Sequence, residues 1–131
     1  HYQVDLVRDS NYILNNLNSD GLKILDARSE ARFTGSIPEP RAHMASGHIP
    51  NSLNLPYQMV LKNGKMKSKS DLNKVFSKFN NEHEELIFSC GSGVTACIIW
   101  LASEVVISNK KSLYDGSWSE WGQLHKFSVE Q

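Results

Sequence analysis

Leu86-Ile87-Phe88-Ser89-Cys90-Gly91-Ser92-Gly93-Val94-Thr95-Ala96 is the stretch whose reading decides the fold. It opens as a short continuous apolar run, the pattern of a strand buried on both faces of a parallel sheet. It then breaks into a tight Cys-Gly-Ser-Gly loop. Val94, Cys97, Ile98, Leu101 and Val105 follow at helical spacing and predict a helix with that stripe against the core. Cys90 therefore sits at a strand end, on a loop feeding a helix N-terminus. Free backbone N–H groups and the positive end of the helix dipole gather there, and both favour an anion on the sulfur. Gly91 and Gly93 allow the backbone to curl so that several N–H groups converge on one atom. Two readings of Cys90 stand side by side: an inert core thiol, or a nucleophilic thiolate that can carry a persulfide. The Gly-Ser-Gly segment favours the second, because an inert cysteine does not need such a loop.

Outward from this stretch, strands alternate with helices. Residues 2–7 read as a first strand or lead-in segment. Asp9 or Ser10 caps a helix with Ile13, Leu14 and Leu17 on one face, and residues 18–21 turn the chain. Residues 22–26 form a strand with Asp26 at its carboxyl edge. Pro38, Pro40 and Gly35 leave residues 27–41 as a loop, with one helical turn at 29–33. A short helix is expected at 42–47, a strand at 52–55, a helical turn at 57–61 and a turn at 62–65. His48 reads as a turn histidine bonded to backbone rather than a general base. Ser70-Asp71 caps a helix bearing Leu72, Val75, Phe76 and Phe79, with a polar exit at 80–85. Residues 112–116 give a last short strand and turn. Ser117 then caps a short helix whose Trp118 and Trp121 belong to the core. The tail from Leu124 has no readable pattern. The expected fold is α/β: a mostly parallel sheet of four or five strands with helices on both faces.

The 131 residues form one domain without repeats, and 14 basic side chains balance 14 acidic ones. A neutral chain lacks the electrostatic footprint for nucleic acid or an anionic membrane. The longest apolar segment, residues 94–108, contains Glu104 and is too short to span a bilayer. Two cysteines seven apart make no disulfide framework and point to a reducing compartment. The chain opens His1-Tyr2-Gln3, without a signal peptide or an initiator Met. It is thus expected to be an excised part of a longer protein or a naturally single-domain one, in the cytoplasm, or in the mitochondrion if a targeting segment precedes it.

No metal site is expected: His43 and His48 flank a turn, and the cysteines lack C-x-x-C spacing. No dinucleotide or Walker pattern follows a strand, so no organic cofactor is expected. Ser92 lacks a nucleophile-elbow context. A tyrosine-phosphatase loop needs an arginine six residues after the cysteine, where this chain has Ala96. Arg28, Arg32 and Arg41 cluster beyond a strand end, where open α/β sheets bind ligands. They bind an anion there, or they are surface arginines paired with Glu30 and Glu39.

Six motifs in order resemble one family: Asp26-Ala27-Arg28-Ser29, Arg32-Phe33-x-Gly35, Pro38-Glu39-Pro40-Arg41, Ser46-Gly47-His48-Ile49-Pro50, the Cys90–Thr95 loop, and Tyr114-Asp115-Gly116-Ser117-Trp118-x-Glu120-Trp121. Together they resemble the rhodanese superfamily, in particular the catalytic C-terminal domain of 3-mercaptopyruvate sulfurtransferases. The resemblance implies a rhodanese-like three-layer fold and a single rhodanese domain over residues 1–131. It implies Cys90 as the nucleophile that takes a sulfane sulfur, with Ser92 assisting proton movement. Gly91, Gly93, Val94 and Thr95 would contribute N–H groups to the sulfur cradle, and Arg32 and Arg41 would hold the carboxylate and keto group of the substrate. The implied reaction moves sulfur from 3-mercaptopyruvate to a thiol or cyanide, without metal or cofactor. The alternatives are thiosulfate as donor, or a sulfur-carrier or interaction module without turnover. Expected partners are the small-molecule donor, a small-thiol or thioredoxin-like acceptor, and the N-terminal rhodanese domain that covers the active site in such enzymes. Asn51 departs from the family's glycine after His-Ile-Pro.

Overall fold

In the computed structural model, which describes residues 3–79 and 81–131, the expected alternation is realised. In chain order the elements are β1 (Val7–Arg8), α1 (Ser10–Asn15), β2 (Leu22–Asp26), α2 (Glu30–Thr34), β3 (Leu53–Asn54), β4 (Leu61–Lys62) and β5 (Lys65–Met66). They continue with α3 (Lys69–Phe76), β6 (Glu85–Ser89), α4 (Ala96–Val106), β7 (Lys111–Tyr114) and α5 (Ser117–Trp121). Tyr2 in the lead-in segment and Asn80 in the polar exit lie outside the described residues. The main sheet has the order β1-β7-β6-β2-β3, and every pairing in it is parallel. The long apolar runs of β2 and β6 occupy its middle. The expected turn at 62–65 closes a separate antiparallel hairpin of β4 and β5.

Strand alternation sorts the core into two layers. Leu25, Leu86 and Phe88 face one side, with Leu72 and Phe76 of α3 and Ile99 of α4. Ile24 and Ile87 face the other, with Ile13 of α1 and Trp118 and Trp121 of α5. Both tryptophans are buried, as their sequence context suggests. The tail is ordered against this second layer: Phe127 stacks on Trp121 at 4.3 Å, and Glu130 bridges to His48.

Local capping explains the short helices. Asp9, Ser29 and Ser68 accept from the third residue onward, and α2 ends on left-handed Gly35. The cap of α3 is thus Ser68, two residues before the expected Ser70. No helix forms at 42–47: His43 takes φ 62° and Met44 bridges to Gln123. Leu14 is exposed, and α1 ends at Asn15, before Leu17. In α4 the expected stripe faces outward: Val94 is 71% exposed and Leu101 63%, while Ala96, Ile99, Ala102 and Ser103 are buried. The helix is apolar on both sides, and its small residues let it sit close to the sheet. No helix among the described residues is long and apolar enough to cross a membrane.

Glu85 staples β6 to its neighbours, accepting from Arg8 Nε (3.0 Å), Tyr12 Oη (2.7 Å) and Ser112 Oγ (2.9 Å). Burial pushes its carboxyl up, but these donors outweigh burial and hold it below its ordinary value. A depressed folded pKa stabilises the fold above the unfolded carboxylate's value and loses that contribution as pH falls through the folded one. Glu85→Gln is expected to cost about 1–3 kcal/mol at neutral pH. It should also flatten the loss of stability below about pH 4, checked by urea unfolding across pH.

Candidate active site

Cys90 leaves β6 at its carboxyl end and is buried, 1% exposed. Its loop is latched from the start of α5. The Cys90 N–H donates to Ser117 Oγ (3.1 Å), the Trp118 N–H to Cys90 O (2.9 Å) and the Ser119 N–H to Gly91 O (2.8 Å). Ser117 is therefore not the helix cap expected from its position; that place belongs to Gly116. Its hydroxyl, donating to Tyr114 O at 2.8 Å, instead fixes the Cys90 backbone, and the residue takes the left-handed φ of 51° to do so.

The Gly93 N–H points at the Cys90 sulfur, 3.0 Å away. Among the described residues it is the one hydrogen bond made to that atom, so the expected convergence of several N–H groups from Gly91 to Thr95 is reduced to Gly93 here. Gly93 takes φ 93° and lies so close to Asp115 that a Cβ would stand 3.0 Å from its carbonyl oxygen. Cys97, the other free cysteine, is exposed and donates to Gly93 O at 3.4 Å. Burial, then the neighbouring Cys90 and Asp115 charges, push its thiol up.

Above the sulfur lies a cavity of about 240 Å³. Cys90, Gly91, Ser92, Val94, Thr95, Arg32 and Arg41 all line it, so the predicted site residues come together at one mouth except for Gly93, which is buried and does not line it. Ser92 is exposed there.

The three arginines separate. Arg28 is buried and belongs to the scaffold: it pairs with Asp26 (2.8 Å) and Glu39 (3.3 Å), donates to Gly47 O, and lies over the Trp118 ring. Arg32 donates to both Glu39 oxygens, from Nε and Nη2, each at 2.8 Å. Burial pushes the Glu39 carboxyl up, but the bonds and charges of Arg32 and Arg28 outweigh this and hold it low. Arg41 is exposed, and among the described residues no carboxylate lies within 4.0 Å of it. Pairing with Glu39 is thus found for Arg28 and Arg32, and pairing with Glu30 is not. His48 stacks on Phe33 at 3.8 Å with Nδ1 against Phe33 O, a structural role. No cluster that could hold a metal occurs among the described residues.

Comparison with known proteins agrees with this geometry. Residues 9–124 match the rhodanese-like domain family. The chain is 39% identical over 109 residues to a 3-mercaptopyruvate sulfurtransferase of Escherichia coli strain K12, covering 82% of this chain and 39% of that protein. It is equally, 39%, identical over 119 residues to a thiosulfate sulfurtransferase of Rattus norvegicus, covering 88% and 40%. The crystal structure of the Tum1 protein from Saccharomyces cerevisiae superposes with a TM-score of 0.82 at 32% identity, over 98% of this chain and 48% of that one. The chain thus spans about two-fifths of the length of those curated relatives. With an all-parallel five-stranded sheet, a cysteine loop at its carboxyl edge and a family match over most of its length, this chain belongs to the rhodanese-like domain family.

Proposed function

We propose that this domain is a sulfurtransferase that takes sulfur from 3-mercaptopyruvate onto Cys90 and passes it to a thiol or to cyanide. One observation carries the reading: a buried cysteine, with an N–H on its sulfur, opens into a small cavity whose rim bears Arg41, without a carboxylate partner among the described residues. Arg41 holds the substrate carboxylate and Arg32 faces the keto group. The Cys90 thiolate attacks the thiol sulfur and the carbon–sulfur bond breaks. Its electron pair stays on carbon, which takes up the proton lost by the thiol, and pyruvate leaves. Cys90 is left as a persulfide, whose outer sulfur an acceptor thiol removes to restore the thiolate. Ser92, at the cavity mouth, is the group assigned to relay the proton. The acceptor is a small thiol or a thioredoxin-like protein, and a second rhodanese domain covers the cavity in the longer protein. Two free cysteines suit the reducing cytoplasm.

Thiosulfate is the second reading, favoured by the equal identity to a thiosulfate sulfurtransferase. The test is intact-protein mass spectrometry after each donor, seeking a gain of about 32 Da, one sulfur atom, on Cys90. A gain that a thiol then discharges, with pyruvate released, supports the enzyme. A gain that persists leaves a carrier, and no gain overturns the reading. Arg41→Ala is expected to raise KM for mercaptopyruvate about tenfold, with a smaller effect on kcat; steady-state kinetics check this.

A further inference from the structure

The charges around the cavity do not add up as the arginine count suggests. Asp26 and Arg28 pair with each other, and both are almost fully buried. Glu39, its side chain 4% exposed, accepts from Nε and Nη2 of Arg32 in a two-point fork. The two acids and two bases cancel, and Arg41 alone faces the donor uncompensated among these groups. The Asp115 carboxylate, whose Oδ1 would stand 3.2 Å from a Cβ at Gly93, adds a negative charge beside the loop. With Cys90 as thiolate, the site carries no excess positive charge before a donor enters.

We propose that Glu39 is a specificity-determining residue: by neutralising Arg32 it sets the cavity to accept a singly charged sulfur donor over a doubly charged one. This rests on the sulfurtransferase reading above. A keto acid such as mercaptopyruvate brings one negative charge and thiosulfate brings two. Each added positive charge beside the donor therefore helps the dianion about twice as much. Glu39 removes one such charge and still leaves Arg32 its planar face and remaining N–H groups for a neutral keto oxygen.

The test is protection of Cys90 from iodoacetamide by pyruvate, a monoanion, and by sulfate, an unreactive dianion. It needs no turnover, so failure of the proposed reaction and failure of the Glu39 role are seen separately. Glu39→Gln is expected to shift the ratio of sulfate to pyruvate affinity about tenfold towards sulfate. Glu39→Asp keeps the charge, and its ratio should stay within about threefold of the unaltered protein even if both ligands bind more weakly. In donor kinetics the kcat/KM ratio of thiosulfate to mercaptopyruvate should move in the same direction in Glu39→Gln. An unchanged ratio in Glu39→Gln, or an equal shift in Glu39→Asp, overturns the proposal. If Glu39→Gln does not fold, the unaltered protein decides. Its sulfate protection should change less than about twofold between low and physiological salt, as a site without excess positive charge requires. A loss of about tenfold would mean that Arg32 acts as a free cation, and the proposal fails.

Discussion

Cys90→Ser is expected to lower pyruvate release from mercaptopyruvate by about 10⁴-fold or more, to background, and to abolish the persulfide mass. A serine hydroxyl at this position cannot form a persulfide and is a far weaker nucleophile towards sulfur. The fold should persist. The Cys90 backbone bonds to Ser117 and Trp118 do not involve the sulfur, and the change removes no buried volume beyond one atom's difference. Unfolding free energy should stay within about 1–2 kcal/mol of the unaltered protein. The measurement is pyruvate release with dithiothreitol as acceptor, beside a thermal melt. Equal rates in both proteins would remove Cys90 from the reaction.

Gly93→Ala has the next largest effect, through geometry rather than chemistry. An L-residue at φ 93° costs about 1–2 kcal/mol, and its Cβ would meet Asp115 O at 3.0 Å and Asp115 Oδ1 at 3.2 Å. The loop must shift to relieve this, and the N–H at the Cys90 sulfur moves with it. A displacement of that kind is expected to cost about 10²-fold in kcat/KM. Gly64→Ala is the matching control: φ is 75° and nothing lies within 4 Å of a Cβ there. It should lose about 1 kcal/mol of stability and no activity. Similar kinetics for the two variants would show that Gly93 serves only the turn.

The central strands and the cysteine loop were legible because their signals are local. Short apolar runs, a Gly-Ser-Gly break and a helical continuation are neighbours in the chain. The outward stripe of α4 was misread for the same reason: with apolar residues on both sides of the helix, periodicity cannot say which side meets the sheet. Asn51 shows a milder case. It takes φ 64° where the family has glycine, and its Nδ2 donates to Leu17 O, so a tolerated left-handed residue replaces a free one. Ser117 lay inside a quoted motif, yet its partner could not be read from it, and the sequence offered an arginine pair for Glu39 without saying which arginines or in what geometry. Ser117 bonds a residue 27 positions earlier, and Glu39 bonds arginines 7 and 11 positions earlier.

By itself the sequence determined that a parallel α/β sheet presents Cys90 on a glycine loop at its carboxyl edge. That follows from backbone propensity and the burial of short apolar runs, which are properties of consecutive residues. Only the tertiary structure decided which arginine faces the cavity without a carboxylate partner and what holds the nucleophile still. Charge compensation and buried hydrogen bonds depend on which groups fold brings within about 3 Å of each other, and that distance is not a function of sequence separation.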